Sequence, residues 1–307
     1  MIKKETKKHN KKILFRKRFF HVLKILLPCM AALLLFTGTT VYTPLSLHTA
    51  VKPGSFQTAS AREASPAPSV TPRISPTPAP KVSVAPTAQE VIDNARQDPS
   101  ISPALVDSLQ DALDRNPEIR PFIRNYFTAD PVVRGGLRDE EKKEPYPLFI
   151  QWDRRWGFVP YGDDTIGLSG CAPASLSMVL YSLTRDESAT PDAIAAYSTE
   201  KGYYVYGTGT AWELMTDIPD QYPVTAQQLI PTEEELRQHL DQGHMFIFSM
   251  GPGDFTEHGH LIVVYDYDDT GFLVNDPFSH ANSEKTWTYQ VLQGQIKNGW
   301  VYSLTQP

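Results

Sequence analysis

QWDRRWGFVPYGDDTIGLSGCAPASLSMVLYSLT, from Gln151 to Thr184, is the stretch whose reading decides the fold. Its centre is Cys171, set between a tight turn at Ser169 and Gly170 and the start of a helix. Pro173 suits the first helical position, where a missing N–H costs nothing. Leu176, Val179, Leu180 and Leu183 recur at i, i+3, i+4 and i+7, one apolar face of an amphipathic helix. The thiol therefore meets the unpaired N–H groups and positive dipole end of a helix N-terminus, which favour an anion. The thiolate is the nucleophilic form of cysteine. Against this stands a plainer reading, a small buried residue that happens to precede a helix.

The chain has 307 residues and two cysteines, Cys29 and Cys171. Cys29 falls in an apolar segment near the start, so Cys171 has no partner for a disulfide and reads as a reactive thiol. Such a nucleophile needs a base and a group to orient that base. His239 lies in an expected helix, His244 in a turn and His280 in a polar loop. His260 follows Gly259 and opens the strand LIVVYDY, where it is rigidly held; His258 is the close competitor. The strand turns back through Asp268 to Gly271 into FLVNDP. The antiparallel register then sets Asp276 opposite residues about 260–262, within reach of the far imidazole nitrogen. Asn275 points to the other face and is the weaker third member. An acyl-transfer site also needs oxyanion donors, for which the backbone N–H of Cys171 and the side chain of Gln151 are the candidates.

The order Gln, Cys, His, Asp resembles the papain superfamily. More narrowly, QWDRRWG, Tyr161-Gly162, SGCAPASLSMVL, the Gly209 to Trp212 segment, GHLIVV and VNDP resemble the bacteriocin-processing-like cysteine peptidases, cysteine peptidase family thirty-nine and its relatives. The resemblance runs from about Pro147 to Ser303. It implies a papain-like α+β fold, with Cys171 as nucleophile, His260 as base, Asp276 as its orienter and Gln151 as oxyanion donor. No cofactor and no metal are expected. Ala172 and Ala174 depart from the glycine and threonine that relatives often carry there. Leader-cutting members are fused to a transporter ATPase, but this chain has no G-x-x-x-x-G-K-[ST], so a built-in exporter is not expected.

Charge divides the chain. Residues 1–24 hold ten Lys or Arg against one Glu, whereas residues 145–307 hold seven against 21 Asp or Glu. A basic start followed by the uncharged, Leu-rich run after Ile25 predicts a membrane signal-anchor at 25–45 with a cytoplasmic N-terminus. An uncleaved anchor is preferred to a signal peptide, since no good small-x-small site follows the apolar core. Residues 46–87, rich in Pro, Ser and Ala, read as a disordered spacer. Residues 88–144 read as a helical pre-domain that packs on the peptidase domain, which spans 145–307. In that domain, helices at Cys171, Pro191–Tyr197 and Thr232 precede strands at Met245–Met250, Leu261–Tyr267 and Phe272–Asn275, which is an α+β order. Thr232 and Glu235 have capping-box spacing.

Other chemistries lack their residues. No H-E-x-x-H or paired C-x-x-C offers a zinc site. The Asp266 to Gly271 segment imitates the start of a calcium loop, but Pro277 stands at its twelfth position. The acidic main domain disfavours nucleic acid. Trp152, Trp156, Trp212 and Trp287 read as core. The expected activity is peptide or amide hydrolysis at the outer face of the cell membrane, on a peptide or protein substrate. The alternatives are a cell-wall peptide amidase or endopeptidase, and a non-catalytic binding domain of the same fold. The sequence does not specify an oligomeric state.

Overall fold

Residue 85 to residue 305 is the part of the chain described by the computed structural model. The basic segment 1–24, the expected anchor 25–45 and the spacer up to residue 84 lie outside it. Among the described residues no helix is long and apolar enough to cross a membrane. Six helices matter for the site: α1 (Ala88–Gln97), α2 (Pro103–Arg115), α3 (Arg120–Asn125), α4 (Cys171–Thr184), α5 (Pro191–Lys201) and α6 (Glu233–Asp241). The main sheet comprises β1 (Val224–Gln228), β2 (Met245–Met250), β3 (His260–Tyr267), β4 (Phe272–Asn275), β5 (Thr286–Trp287) and β6 (Ile296–Leu304). Its order is β1-β6-β2-β3-β4-β5, antiparallel at every pairing.

Side chains alternate across a strand, and here both faces are covered. Met245, Ile247, Leu261, Val263, Trp300 and Tyr302 share one core with Leu176, Val179 and Leu180 of α4. Phe246, Phe248, Met250, Ile262, Val264 and Val301 form a second core with Leu236 and Leu240 of α6. That is why MFIFSM is apolar at five of six positions and buried at all of them. The capping box of α6 is formed: Thr232 Oγ1 accepts from the Glu235 N–H at 3.3 Å, while Glu235 Oε2 accepts from the Thr232 N–H at 2.8 Å. The Asp268 segment is a hairpin turn, its carboxylate accepting from the N–H groups of Thr270 and Gly271.

Two readings of α4 need correction. The helix begins at Cys171, which makes Pro173 its third residue rather than its first. It is also buried from Ala172 to Tyr181 instead of showing one apolar face. Small residues on the remaining faces fit between α5 and the sheet, and Ser177 Oγ satisfies itself by donating to the Ala189 carbonyl. Gly170 is required just before it, since a Cβ there would come 2.4 Å from the Ile166 carbonyl oxygen.

The segment before residue 145 contains α1 to α3. Thr87 and Glu90 cap α1 reciprocally, and Pro103 starts α2. Ile92, Leu109, Ile119 and Ile123 are fully buried in a third core that also takes in Phe158 and Phe278. Phe122 stacks on Phe158 with ring centroids 4.7 Å apart. The described residues accordingly form one compact unit. Phe122→Ala should therefore destabilise the peptidase domain itself, by about 3–5 kcal/mol for a buried aromatic. Urea unfolding followed by tryptophan fluorescence measures this. A loss well below 1 kcal/mol would mean that the two parts do not share a core.

Candidate active site

Three elements converge at one end of the sheet. α4 presents Cys171 at its first turn, half-buried and free of any disulfide. β3 begins with His260, paired with Met250 of β2. β4 pairs Asn275 with Val263, so the chain leaves the sheet with Asp276 on the His260 side. His260 Nε2 and Asp276 Oδ1 are 2.7 Å apart, and both side chains are almost wholly withdrawn from solvent. The remaining ring nitrogen, Nδ1, is the one left for the thiol.

Burial pushes the His260 imidazolium toward losing its proton, but the Asp276 carboxylate, through charge and hydrogen bond, outweighs it. The Cys171 side chain adds to this, and the imidazole is held up to about 9. Asp276 shows the mirror balance. Burial pushes its carboxyl up, yet the His260 charge and bond, with Asn282 and the Phe278 N–H, keep it below the usual range. Its Oδ1 also accepts from the Phe278 N–H at 2.8 Å, and Oδ2 accepts from Asn282 Nδ2 at 2.8 Å. A buried carboxylate with three donors is rigidly aimed.

The model of the Peptidase_C39 like family matches residues 143–306, more than half of the chain. The chain belongs to this family. Among solved structures, the peptidase domain of Streptococcus ComA, titled as a bi-functional ABC transporter involved in a quorum sensing pathway, is 16% identical with a TM-score of 0.39. That match covers 52% of this chain and 99% of the other. A putative C39-like peptidase from Bacillus anthracis is also 16% identical, with a TM-score of 0.36, covering 51% of this chain and 94% of that one. No curated protein sequence matches the chain.

In this C39-like domain Gln151 lies between the segment just before Cys171 and the loop after Asp276. Its backbone N–H donates to the Pro277 carbonyl at 2.7 Å. Its side-chain Nε2 donates to the carbonyls of Gly167 and Leu168, at 3.0 and 3.3 Å, in the turn just before Cys171. Its Oε1 is buried without a partner. The side chain thus braces the Cys171 turn, which is a different arrangement from the free donor expected from the sequence. Asn275 lies on the other face, donating to the Tyr146 and Pro147 carbonyls. His258 is exposed and makes no bond to Asp276. His239 and His244 pair with each other, Nδ1 to Nδ1, at 2.8 Å.

Of the tryptophans, Trp156 and Trp287 are core. Trp152 is half-buried and donates to the Phe278 carbonyl at 2.8 Å, beside the site. Trp212 is 48% exposed, against the expectation of core packing. The Tyr161 and Gly209–Trp212 motifs meet directly, Tyr161 Oη lying 2.6 Å from Thr210 Oγ1. Among the described residues one trio has metal-binding donors, Asp111, Glu257 and His258. Two of the three are exposed and Asp111 is ion-paired with Arg115, so nothing beyond proximity marks it as a site. Sequence reasoning missed Asn282 and Phe278. Six and two residues beyond Asp276, in a stretch that reads as polar loop, they carried no signal.

Proposed function

We propose that this chain is a cysteine peptidase of papain-like architecture, held at the outer face of the cell membrane by segment 25–45, that hydrolyses peptide or amide bonds. The observation that carries the reading is the buried 2.7 Å bond from His260 to Asp276, with Cys171 on the other side of the imidazole. Anchoring and orientation rest on the basic residues 1–24 and the uncharged run behind them.

In this scheme the Cys171 sulfur attacks the scissile carbonyl carbon, forming a C–S bond while the carbonyl π electrons move onto oxygen. The Cys171 N–H, in the first helical turn where donors lack intrahelical partners, faces that oxyanion. Gln151 turns one amide hydrogen from its carbonyl to the same oxygen as substrate enters. The His260 imidazolium gives its proton to the leaving amine, the C–N bond breaks, and a thioester remains. Neutral His260 then takes a proton from water, whose oxygen displaces Cys171 and releases the acid. Asp276 keeps Nε2 protonated and stabilises the imidazolium throughout.

A membrane-impermeant maleimide at limiting dose on intact cells tests placement and reactivity together. Cys171 should be modified ahead of other exposed thiols, and Cys29 not at all. Modification of Cys171 only after cell lysis would overturn the topology. Modification at the rate of an ordinary thiol would overturn the catalytic assignment.

A further inference from the structure

We propose that Glu118, which lies ahead of the peptidase domain, is a positioning residue for the Asp276–His260 pair. The inference rests on the catalytic reading above, but Glu118 and its neighbours Arg115 and Asn116 lie outside the 143–306 span that the family model matches. Glu118 sits in the single 3-10 turn Pro117–Ile119 that follows α2. Its Oε2 accepts from the His280 N–H at 2.9 Å, and its Oε1 from the Ala281 N–H at 3.1 Å. Those are the first two donors of the short helix His280–Ser283, which have no partner within it. Asn282, in that same helix, is the residue that holds Asp276 Oδ2.

A second contact runs in parallel. Asn116, buried beside Glu118, donates its Nδ2 to the Phe278 carbonyl at 2.5 Å, and the Phe278 N–H holds Asp276 Oδ1. The Arg115 guanidinium lies 4.9 Å from the centre of the Phe278 ring, which in turn stands edge-on to His260 at 6.2 Å. Asp276 side-chain contacts other than His260 therefore come from a loop pinned across the domain boundary. The groups facing His260 itself are Asp276, from the loop after β4, and Cys171, from α4. Glu118 reaches the imidazole only through Asn282 and Asp276. Loss of Glu118 should strip the His280 and Ala281 N–H groups of their acceptors, leave the Ser279 side chain as the cap of His280–Ser283, let Asn282 drift from Oδ2 and loosen the carboxylate that sustains the imidazolium.

Exchange of the imidazole C2 hydrogen against pH, read by mass spectrometry on the full chain, gives the midpoint of each histidine separately. Glu118→Ala should lower the His260 midpoint by about one pH unit, corresponding to loss of one charge-assisted hydrogen bond. Alkylation of Cys171 by iodoacetamide at pH 8 should slow by up to about tenfold, the same effect seen from the thiol. Glu118→Gln, which keeps one acceptor, should show a smaller shift. Asn282→Ala should reproduce the full shift, and the double variant should add nothing, because both changes cut one chain of contacts. Gln110→Ala, which removes the Gln89–Gln110 bridge between α1 and α2 and a bond to Asp114 within α2, should leave His260 unmoved. If Glu118→Ala fails to fold, the Glu118→Gln and Asn282→Ala pair carries the test. A folded Glu118→Ala with an unchanged His260 midpoint overturns the proposal, as do Glu118 and Asn282 shifts that sum in full. A wild-type Cys171 no faster than free cysteine counts against the peptidase reading instead, while the His260 comparison still decides this one.

Discussion

Cys171→Ala should abolish hydrolysis of every substrate the wild type cleaves, by about 10⁴-fold or more, the loss seen when a covalent nucleophile is removed. Cys171 is the single free cysteine among the described residues, and Cys29 lies far away in the sequence, in the expected anchor. No other thiol among the described residues is placed to substitute. His260→Ala should be nearly as damaging, because the imidazole both receives and returns the proton. His258→Ala should retain most activity, since that ring is exposed and apart from Asp276. The double variant Cys171→Ala/His260→Ala should be little worse than either single one, as the two act as a unit. Initial rates on a peptide pool cleaved by the wild type measure all four. Wild-type activity in a verified Cys171→Ala protein would sink the mechanism, and a His258→Ala loss equal to that of His260→Ala would reassign the base.

How far the sequence carried depends on whether a signal was local. Cys171 was legible because a Gly-Cys-Ala-Pro turn and a Leu repeat mark a helix start within a few residues. Asp276 was legible through the hairpin to within a residue or so, because the turn at Asp268 to Gly271 sets the approximate pairing, while a register shift between Val264 and Asp266 sets the final one. The strands at Met245 and Leu261 announced themselves as runs of apolar and β-branched residues. β6, IKNGWVYSL, did not: Lys297, Asn298 and Gly299 interrupt its apolar residues, although the strand lies between β1 and β2. Gly299 is there for close approach, as a Cβ would stand 2.6 Å from the Leu229 carbonyl oxygen. The contact from Glu118 to His280 spans 162 residues, a separation that no local pattern encodes. The bracing role of Gln151 was hidden for the same reason, because its acceptors are backbone carbonyls that any residue type would supply.

Asp276→Asn should keep the fold, lower kcat/KM by about 10²- to 10⁴-fold and move the alkaline limb of the pH profile to lower pH. In the proposed mechanism the imidazolium is the acid for the leaving amine. That cation is held up to about 9, above the 6.5 of an unperturbed histidine, and Asp276, ahead of Cys171, contributes most to raising it. The limb should therefore fall near pH 9 in the wild type and drop toward neutrality once the carboxylate is an amide. Stability obeys the same linkage. A histidine with a raised folded value contributes fully below about pH 6.5 and loses that contribution as pH rises through about 9. Asp276, held below its ordinary 3.8, contributes above that value and loses it as pH falls further. The melting-temperature gap between wild type and Asp276→Asn should thus be widest between about pH 4 and 6.5 and shrink by pH 9 or higher. Thermal scans across that range, paired with kcat/KM profiles, measure both effects. An alkaline limb that stays near 9 in Asp276→Asn would mean that some other group sustains the imidazolium, and Asp276 would lose its role as orienter.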